Sequence, residues 1–501
     1  MYANIIEAFS SVLSVEIFLL MLIGVTVGIV FGAIPGLSAT MALALCLPMT
    51  YSMDVIPAMS LLCALFIGGI SGGLIPAILM NIPGTPSSIA TCFDGNPMAQ
   101  NGQAGRAIGI AVVFSFLGGI AGFLVLFFIA PPLAKVAIGF GPYEYFGIAL
   151  FSLTLIATVS GESMVKGLIS GLIGMAFALV GPAPIDAYSR FTFGIKGLIG
   201  GFDLLTVLIG LFAISEIIKT AENPQSANME NIQEVKIRGF GISLSEFREQ
   251  VVNFFRSSII GIAMGILPGI GGSTSSILAY LTAKNSSKHP EKFGTGIIDG
   301  IVASESANNA TIGGAMVPLL TLGIPGESTT AMLLGAFMLH GLTPGPLLFT
   351  KNANLVYSIF VALMIANVIM LILEFYGIRL FIRLLRIPKY FLLPIVLALC
   401  VVGAFGLNNN LFDVWTILFF GLIGFAMDKF DIPTAPALLG FILGPMAETN
   451  LRSGLMLTNG SFIPFLQRPI SCTFIIFAIV SVLFTIVKTV KGGNKQKAHH
   501  G

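Results

Sequence analysis

Charge is what this chain of 501 residues has least of: 25 Lys and Arg, 23 Asp and Glu, and 4 His, so that 10% of the sequence is charged. Soluble globular proteins carry about 25%, and a chain this poor in charge cannot cover a surface that faces water. Its net charge of +2 carries no sign of a nucleic-acid partner, and none is expected. Cysteine is scarce too: Cys46, Cys63, Cys92, Cys400 and Cys472 are scattered through apolar stretches without metal-type spacing, as small packing residues would be. His289 and His340 stand alone and His499-His500 belong to the tail, so the histidines outline no metal cluster. No nucleophile elbow, zinc motif or phosphate loop is present, and an enzyme is not expected. The N-terminal stretch MYANIIEAFSSVLSVEIF has no Lys or Arg, so it lacks the basic start of a secretory signal and leads into a retained span.

What the chain does have is hydrophobic length, at 55% of its residues. Ile17–Ala33, Ala107–Ala130, Leu355–Leu373 and Ile470–Val487 are long enough to cross the hydrocarbon as helices. Such runs exclude an outer-membrane barrel, whose strands alternate. The expected fold is an all-α polytopic membrane protein of roughly 10–14 membrane segments, some of them interrupted or re-entrant.

The one long polar stretch, Thr220–Asn253, divides the hydrophobic mass almost in half, and the halves resemble each other. GAIPGLSAT at Gly32–Thr40 matches GILPGIGGS at Gly265–Ser273. Pro76-x6-Pro83-Gly84 matches Pro318-x6-Pro325-Gly326, each behind a double glycine, Gly72-Gly73 and Gly313-Gly314. SGLIGMAF at Ser170–Phe177 matches FGLIGFAM at Phe420–Met427. Three matches in one order indicate a duplication: a first membrane repeat over 1–219, a connecting loop over 220–253, a second repeat over 254–490 and a basic tail over 491–501. The repeats are expected to be inverted, as in many secondary transporters, although interrupted segments leave the span count of each half open. Arg379, Arg383, Arg386 and Lys389 cluster in one short loop, and Lys488, Lys491, Lys495 and Lys497 lie in the tail. Both should face the cytoplasm.

Non-helical backbone survives at membrane depth only inside protein or along a cavity, and proline breaks a helix interior at about 3 kcal/mol. Pro83-Gly84 and Pro325-Gly326 are therefore expected stops, as are the corners Pro35-Gly36 and Pro268-Gly269. Behind the first two stand Thr85, Ser87, Ser88 and Ser328, Thr329, Thr330, which suit the start of a second helix. A helix beginning there turns free N–H groups and its positive end toward an anion such as a carboxylate. Together with the amides Asn81, Asn308 and Asn309, these hydroxyl residues are the expected substrate contacts. The segment ASESANNATIGGAMVP, which also holds Glu305, should form part of the cavity wall. Ser38, Ser273, Thr274 and Glu327 are the expected contacts of a coupling ion. Asp94, Glu162, Asp186 and Asp299 sit beside turns and should be solvated.

At these motifs the chain resembles the large membrane subunit of the tripartite tricarboxylate transporter family, the TctA-type permeases. GAIPGLSATMALALCLPMTY, GGLIPAILMNIPGTPSSIATCFDGNPMAQNGQAGRAIG, GILPGIGG, ASESANNATIGGAMVPLLTLGIPGESTTAMLLGAF and HGLTPGP carry the resemblance, which covers both halves. It implies a bacterial inner-membrane importer of di- or tricarboxylates, citrate being the namesake. Its partners would be a small four-helix membrane subunit and a periplasmic solute-binding protein. Its driving force would be a gradient of Na+ (or H+), with no cofactor and no ATP. One departure from a simple carboxylate site stands out: neither break holds an Arg or Lys, and the nearest along the chain is Arg106. Helix ends, amides and sodium must then neutralise the ligand, or the substrate is less charged than citrate. A self-sufficient symporter and an anion channel are the competing readings.

Overall fold

The computed structural model describes residues 2–159, 163–222, 241–384 and 389–498. Glu162, Arg386, His499, His500 and residues 223–240 of the connecting stretch lie outside the described residues, as do the side chains of Lys389 and the tail lysines. The fold is all-α and polytopic. Among the described residues the strands are one two-residue antiparallel pair, Gly181–Pro182 with Ser189–Arg190.

The helices that build the centre are α1 (Val15–Ala33), α2 (Ala39–Cys46), α3 (Val55–Gly72), α4 (Leu74–Met80), α5 (Ile89–Met98) and α6 (Ala104–Ala137) in the first half. Helix α7 (Ser215–Glu222) closes it. The second half holds α8 (Leu244–Ile266), α9 (Gly271–Ser286), α10 (Ile298–Leu322), α11 (Ser328–Leu339), α12 (Ala353–Leu384), α13 (Leu411–Lys429) and α14 (Thr434–Leu457). Six helical stretches among the described residues are long and apolar enough to cross a membrane, and five shorter apolar helices accompany them. Helix α10 is not one of the six, yet every residue from Gly300 to Thr321 is buried. Its polar side chains disguise how enclosed it is.

Three expectations shift in detail. Helix α8 starts at Leu244, inside the polar stretch, because Ser243 and Glu246 cap it: the Ser243 N–H donates to Glu246 Oε2 at 2.8 Å and the Glu246 N–H to Ser243 Oγ at 3.3 Å. Arg379 and Arg383 lie in the last turns of α12 rather than in a loop. The basic tail is no separate segment up to Ala498, since the helix begun at Pro469 runs through it.

All four expected stops interrupt helices, by two local mechanisms. A residue before proline is pushed out of the α region, and Ile34 and Leu267 accordingly end α1 and α8 in extended conformation, at φ −86°, ψ 112° and φ −83°, ψ 120°. The glycines that follow, Gly36 and Gly269, turn the chain at φ +89° and +81°, which a side chain would resist. The other two stops are left-handed caps: Asn81 ends α4 at φ 55° and Gly323 ends α10 at φ 71°.

The halves repeat not only these breaks but their contacts. Helix α1 lies against α3 through glycines so close that a Cβ on Gly28 would sit 2.5 Å from the Leu65 carbonyl oxygen and one on Gly72 2.5 Å from that of Ile29. In the second half Gly261 meets the Ala307 carbonyl and Gly314 that of Ile262, the same residues displaced by 233 positions on one helix and 242 on the other. The corners obey the same rule, Gly84 touching the Gly32 carbonyl and Gly326 that of Gly265. Lipid is as apolar as leucine, so helices in a membrane associate through close backbone approach at small residues rather than through exclusion of water.

Replacing Gly28 by Val should force α1 and α3 apart. Overpacking costs about 1–3 kcal/mol or more, so the variant's unfolding midpoint in detergent should fall by several degrees. Gly406 supplies the control, since a Cβ there meets nothing within 4 Å: Gly406→Ala should not lower the midpoint.

Candidate functional site

The breaks do not merely recur; they meet. Four helix starts close on one cavity of about 240 Å³. Ser38, Ala39 and Thr40 come from the start of α2, Thr85, Pro86 and Ser87 from the turn before α5, Gly271, Gly272 and Ser273 from α9, and Glu327, Ser328 and Thr329 from α11. Gly269 and Ile270 before α9, Ile70 of α3 and Ala435 and Leu439 of α14 complete the wall. Each start brings backbone N–H groups with no intrahelical acceptor and a positive end equivalent to about half a charge. These positive ends point at one space, and among the described residues no Lys or Arg stands in the lining.

Hydrogen bonds set how those starts are held. Ser38 Oγ accepts the Met41 N–H at 3.1 Å and so caps α2. The Thr85 N–H donates to Ser88 Oγ at 3.2 Å, and that hydroxyl donates to the Thr85 carbonyl at 2.8 Å. In the same way the Glu327 N–H donates to Thr330 Oγ1 and that hydroxyl donates to the Glu327 carbonyl, both at 2.9 Å. Thr85 Oγ1 lies 3.0 Å from Ser87 Oγ, and Thr40 Oγ1 lies 3.1 Å from Thr329 Oγ1, a bond that joins the two halves across the cavity. Glu327 Oε2 accepts the Gly272 N–H at 3.2 Å, tying α9 to α11. The Gly269 N–H donates to the Gly326 carbonyl at 2.6 Å and joins the two second-half corners.

The structure sorts the expected residues. Thr85, Ser87, Ser328, Thr329, Ser38, Ser273, Glu327 and Gly269 line the cavity together. Ser88 and Thr330 do not, because their hydroxyls serve their own turns. Asn81 does not either: it is exposed and occupies the left-handed cap, the position held by Gly323 in the second half. Thr274 lies one residue beyond the lining of α9. Asn308 is buried behind the wall, where a Cβ on Gly272 would lie 2.8 Å from its Oδ1 and 2.8 Å from the Ser87 Cβ. Neither of its amide atoms has a partner among the described residues. Asn309 and Glu305 are no part of the cavity wall. Glu305 faces α5 and α6 and accepts from Thr91 and, at 2.7 Å, from Ser115 Oγ, while Asn309 Nδ2 bonds the Glu305 carbonyl at 3.2 Å.

Among the acids placed beside turns, Asp186 is exposed and paired with Arg452 at 2.8 Å, and Asp299 is half-buried. Asp94 overturns the expectation of a solvated carboxylate, for it is fully buried. Its Oδ1 accepts the N–H groups of Gly294, Gly296 and Ile297 at 2.8–3.0 Å, and its Oδ2 accepts the Tyr280 hydroxyl at 2.9 Å. It thereby staples α5 to the loop that starts α10. Sequence reasoning passed over Glu374 of α12, which is buried and accepts the Ser71 hydroxyl at 2.9 Å. A lone acid in the apolar run ANLVYSIFVALMIANVIMLILEFYG was the available signal. It also passed over Lys219. Arg106, nearest along the chain, instead pairs with Glu246, whereas Lys219 lines a second cavity that shares Ser38, Thr85 and Pro86 with the first.

A family model described as the tripartite tricarboxylate transporter TctA family matches residues 18–439. An Agrobacterium vitis protein named "Uncharacterized 52.8 kDa protein in TAR-I ttuC' 3'region" is 34% identical over 469 residues, covering 94% of this chain and 93% of the relative. A second from the same organism, "Uncharacterized protein in TAR-II ttuC' 3'region", is 36% identical over 236 residues, 47% of this chain and 98% of the relative. No solved structure matches the chain.

The cap at Asn81 gives a direct test of its role. Glycine reaches the left-handed region at no steric cost, so Asn81→Gly should keep both the melting midpoint and transport activity. Loss of activity in a fully folded variant would instead make the amide a ligand contact.

Proposed function

The chain belongs to the tripartite tricarboxylate transporter TctA family, and from that premise we propose that it is the permease through which a binding-protein-dependent importer moves di- and tricarboxylates across the bacterial inner membrane. In this reading a small membrane subunit and a periplasmic solute-binding protein work with it, and a sodium or proton gradient drives the cycle. The observation that carries the substrate class is the convergence of four helix starts on one cavity in whose lining, among the described residues, no basic side chain stands.

The arrangement suits carboxylates for a physical reason. A substrate must be bound and then released, and a fixed Arg in a dry cavity would hold a carboxylate through charge-assisted, bidentate bonds. Helix ends and hydroxyls spread the same positive potential over many weaker donors. We assign the carboxylate contacts to the hydroxyls of Thr85, Ser87, Ser328 and Thr329 and to the N–H groups of Ser87, Ser328 and Thr329, with Asn308 as a donor behind the wall. Glu327, Ser38 and Ser273 are the contacts we assign to the coupling cation, since Glu327 brings the one acid in the cavity lining among the described residues. Asn81, Ser88, Thr330 and Asn309 are left as parts of the scaffold.

Electrical work supports coupling. One charge moved across 100 mV is worth about 2.3 kcal/mol, so a trianion entering a negative cell alone faces roughly 7 kcal/mol. More than three co-transported cations turn that penalty into a driving force.

In proteoliposomes holding the complete transporter, with the binding protein supplied, citrate or succinate uptake should require an inward sodium gradient. Equal uptake without sodium at fixed pH would exclude sodium, and a pH gradient alone would then decide for or against protons. A hydrogen bond to a charged group contributes about 1.5–3 kcal/mol. Ser87→Ala, Thr329→Ala and Asn308→Ala should therefore each lower uptake by roughly 10-fold or more, with expression and melting midpoint near those of the parent. Loss of the folded protein in all three would assign these side chains to structure instead.

A further inference from the structure

A second cavity, of about 460 Å³, adjoins the first. The two share Ser38, Thr85 and Pro86 as common wall. Beyond these residues the second cavity is bounded by the bends Gly36 and Pro83-Gly84 and by side chains of α7 and α13. Its chemistry differs from that of the first. Among the described residues Lys219 of α7 is the single basic residue in the lining of either cavity, and the acids Glu216 and Asp428 share the second lining with it. Lys219 Nζ donates to Asp428 Oδ1 at 2.9 Å, and each of the two side chains keeps 48% of its surface exposed.

Resting on the carboxylate reading of the first cavity, we propose that Lys219 is a substrate contact, the cation that receives carboxylate groups in the second cavity, with Asp428 holding it in position when no substrate is there. Two features argue for this role. A polyanion that passes Ser38 and Thr85 into the second cavity meets a lining in which, among the described residues, Lys219 is the one cation beside Glu216 and Asp428. A half-solvated ion pair is weakly held, so an incoming carboxylate can replace Asp428 on the ammonium, and the lysine's flexible stem allows it to follow. An ion pair meant only to fasten α7 to α13 has no need to line a cavity. The neighbouring pair Lys429–Glu222 joins the same two helices outside that lining.

The proposal makes Lys219 a determinant of substrate charge, and the complete transporter in proteoliposomes can test it with citrate and succinate as probes. Lys219→Gln should raise KM for citrate by about 10-fold, the loss of one charge-assisted contact, and raise that for succinate less, with maximal rate little changed. Asp428→Asn, which removes the acid bonded to the ammonium, should lower KM for citrate. The exchanged pair Lys219→Asp with Asp428→Lys restores a fastening between the helices but moves the cation, and should not restore KM. Unchanged KM in Lys219→Gln, unchanged or raised KM in Asp428→Asn, or full rescue by the exchanged pair would overturn the proposal and leave the first cavity's role intact. A parent transporter that takes up neither probe would overturn the carboxylate reading itself, and this proposal with it.

Discussion

Backbone N–H and C=O groups at membrane depth have no water to bond, and the rest of the structure follows from how this chain answers that constraint. Four unwound segments in a hydrophobic chain carry many unpaired polar groups. Placed singly against lipid, each would cost several kcal/mol per group. Brought together, they satisfy one another in part: the Gly269 N–H reaches the Gly326 carbonyl, the Gly84 N–H reaches the Gly73 carbonyl at 3.3 Å, and Thr40 reaches Thr329. The helix starts themselves line one small shared space.

The glycine contacts make that meeting possible. Corners can touch only if the helices that carry them lie closer than side chains permit, and the Gly84–Gly32 and Gly326–Gly265 contacts are the ends of two glycine-lined interfaces, α1 with α3 and α8 with α10. The same packing encloses α10, whose polar residues are then available for locks rather than exposed to lipid. Thr311 is an example, its hydroxyl donating to the Ala307 carbonyl and lying 2.7 Å from that of Ser275 on α9. Rigid interfaces around a cavity lined by helix ends hold the donors in place without any basic side chain.

Hydroxyls and amides near a break looked alike in the sequence and proved unlike in space. Ser87 and Ser88 are adjacent, yet one faces the cavity and the other closes a turn, because a helix start needs one hydroxyl three residues on to accept its first N–H. Glu327 and Thr330 repeat that division. Asn81 was legible as a cap only by aligning it with Gly323, which shows that its backbone conformation rather than its amide is what recurs. Asp94 looked solvated since it stands in the polar run FDGNPMAQNG; its three backbone partners lie some two hundred residues away.

Local rules are sufficient for much of this protein. Scarcity of charge, the length of apolar runs, the removal of a donor by proline and the recurrence of Pro-Gly signals determined an all-α membrane chain with four interruptions, because each of these effects acts within a few residues. Tertiary structure alone decided that all four helix starts share one cavity, that Asn309 and Glu305 turn away from it, and that Lys219 lines the adjoining cavity while Arg106 pairs with Glu246. Those outcomes depend on which helix faces cross, and crossing is set by close contacts between residues far apart in the chain, which no local pattern records.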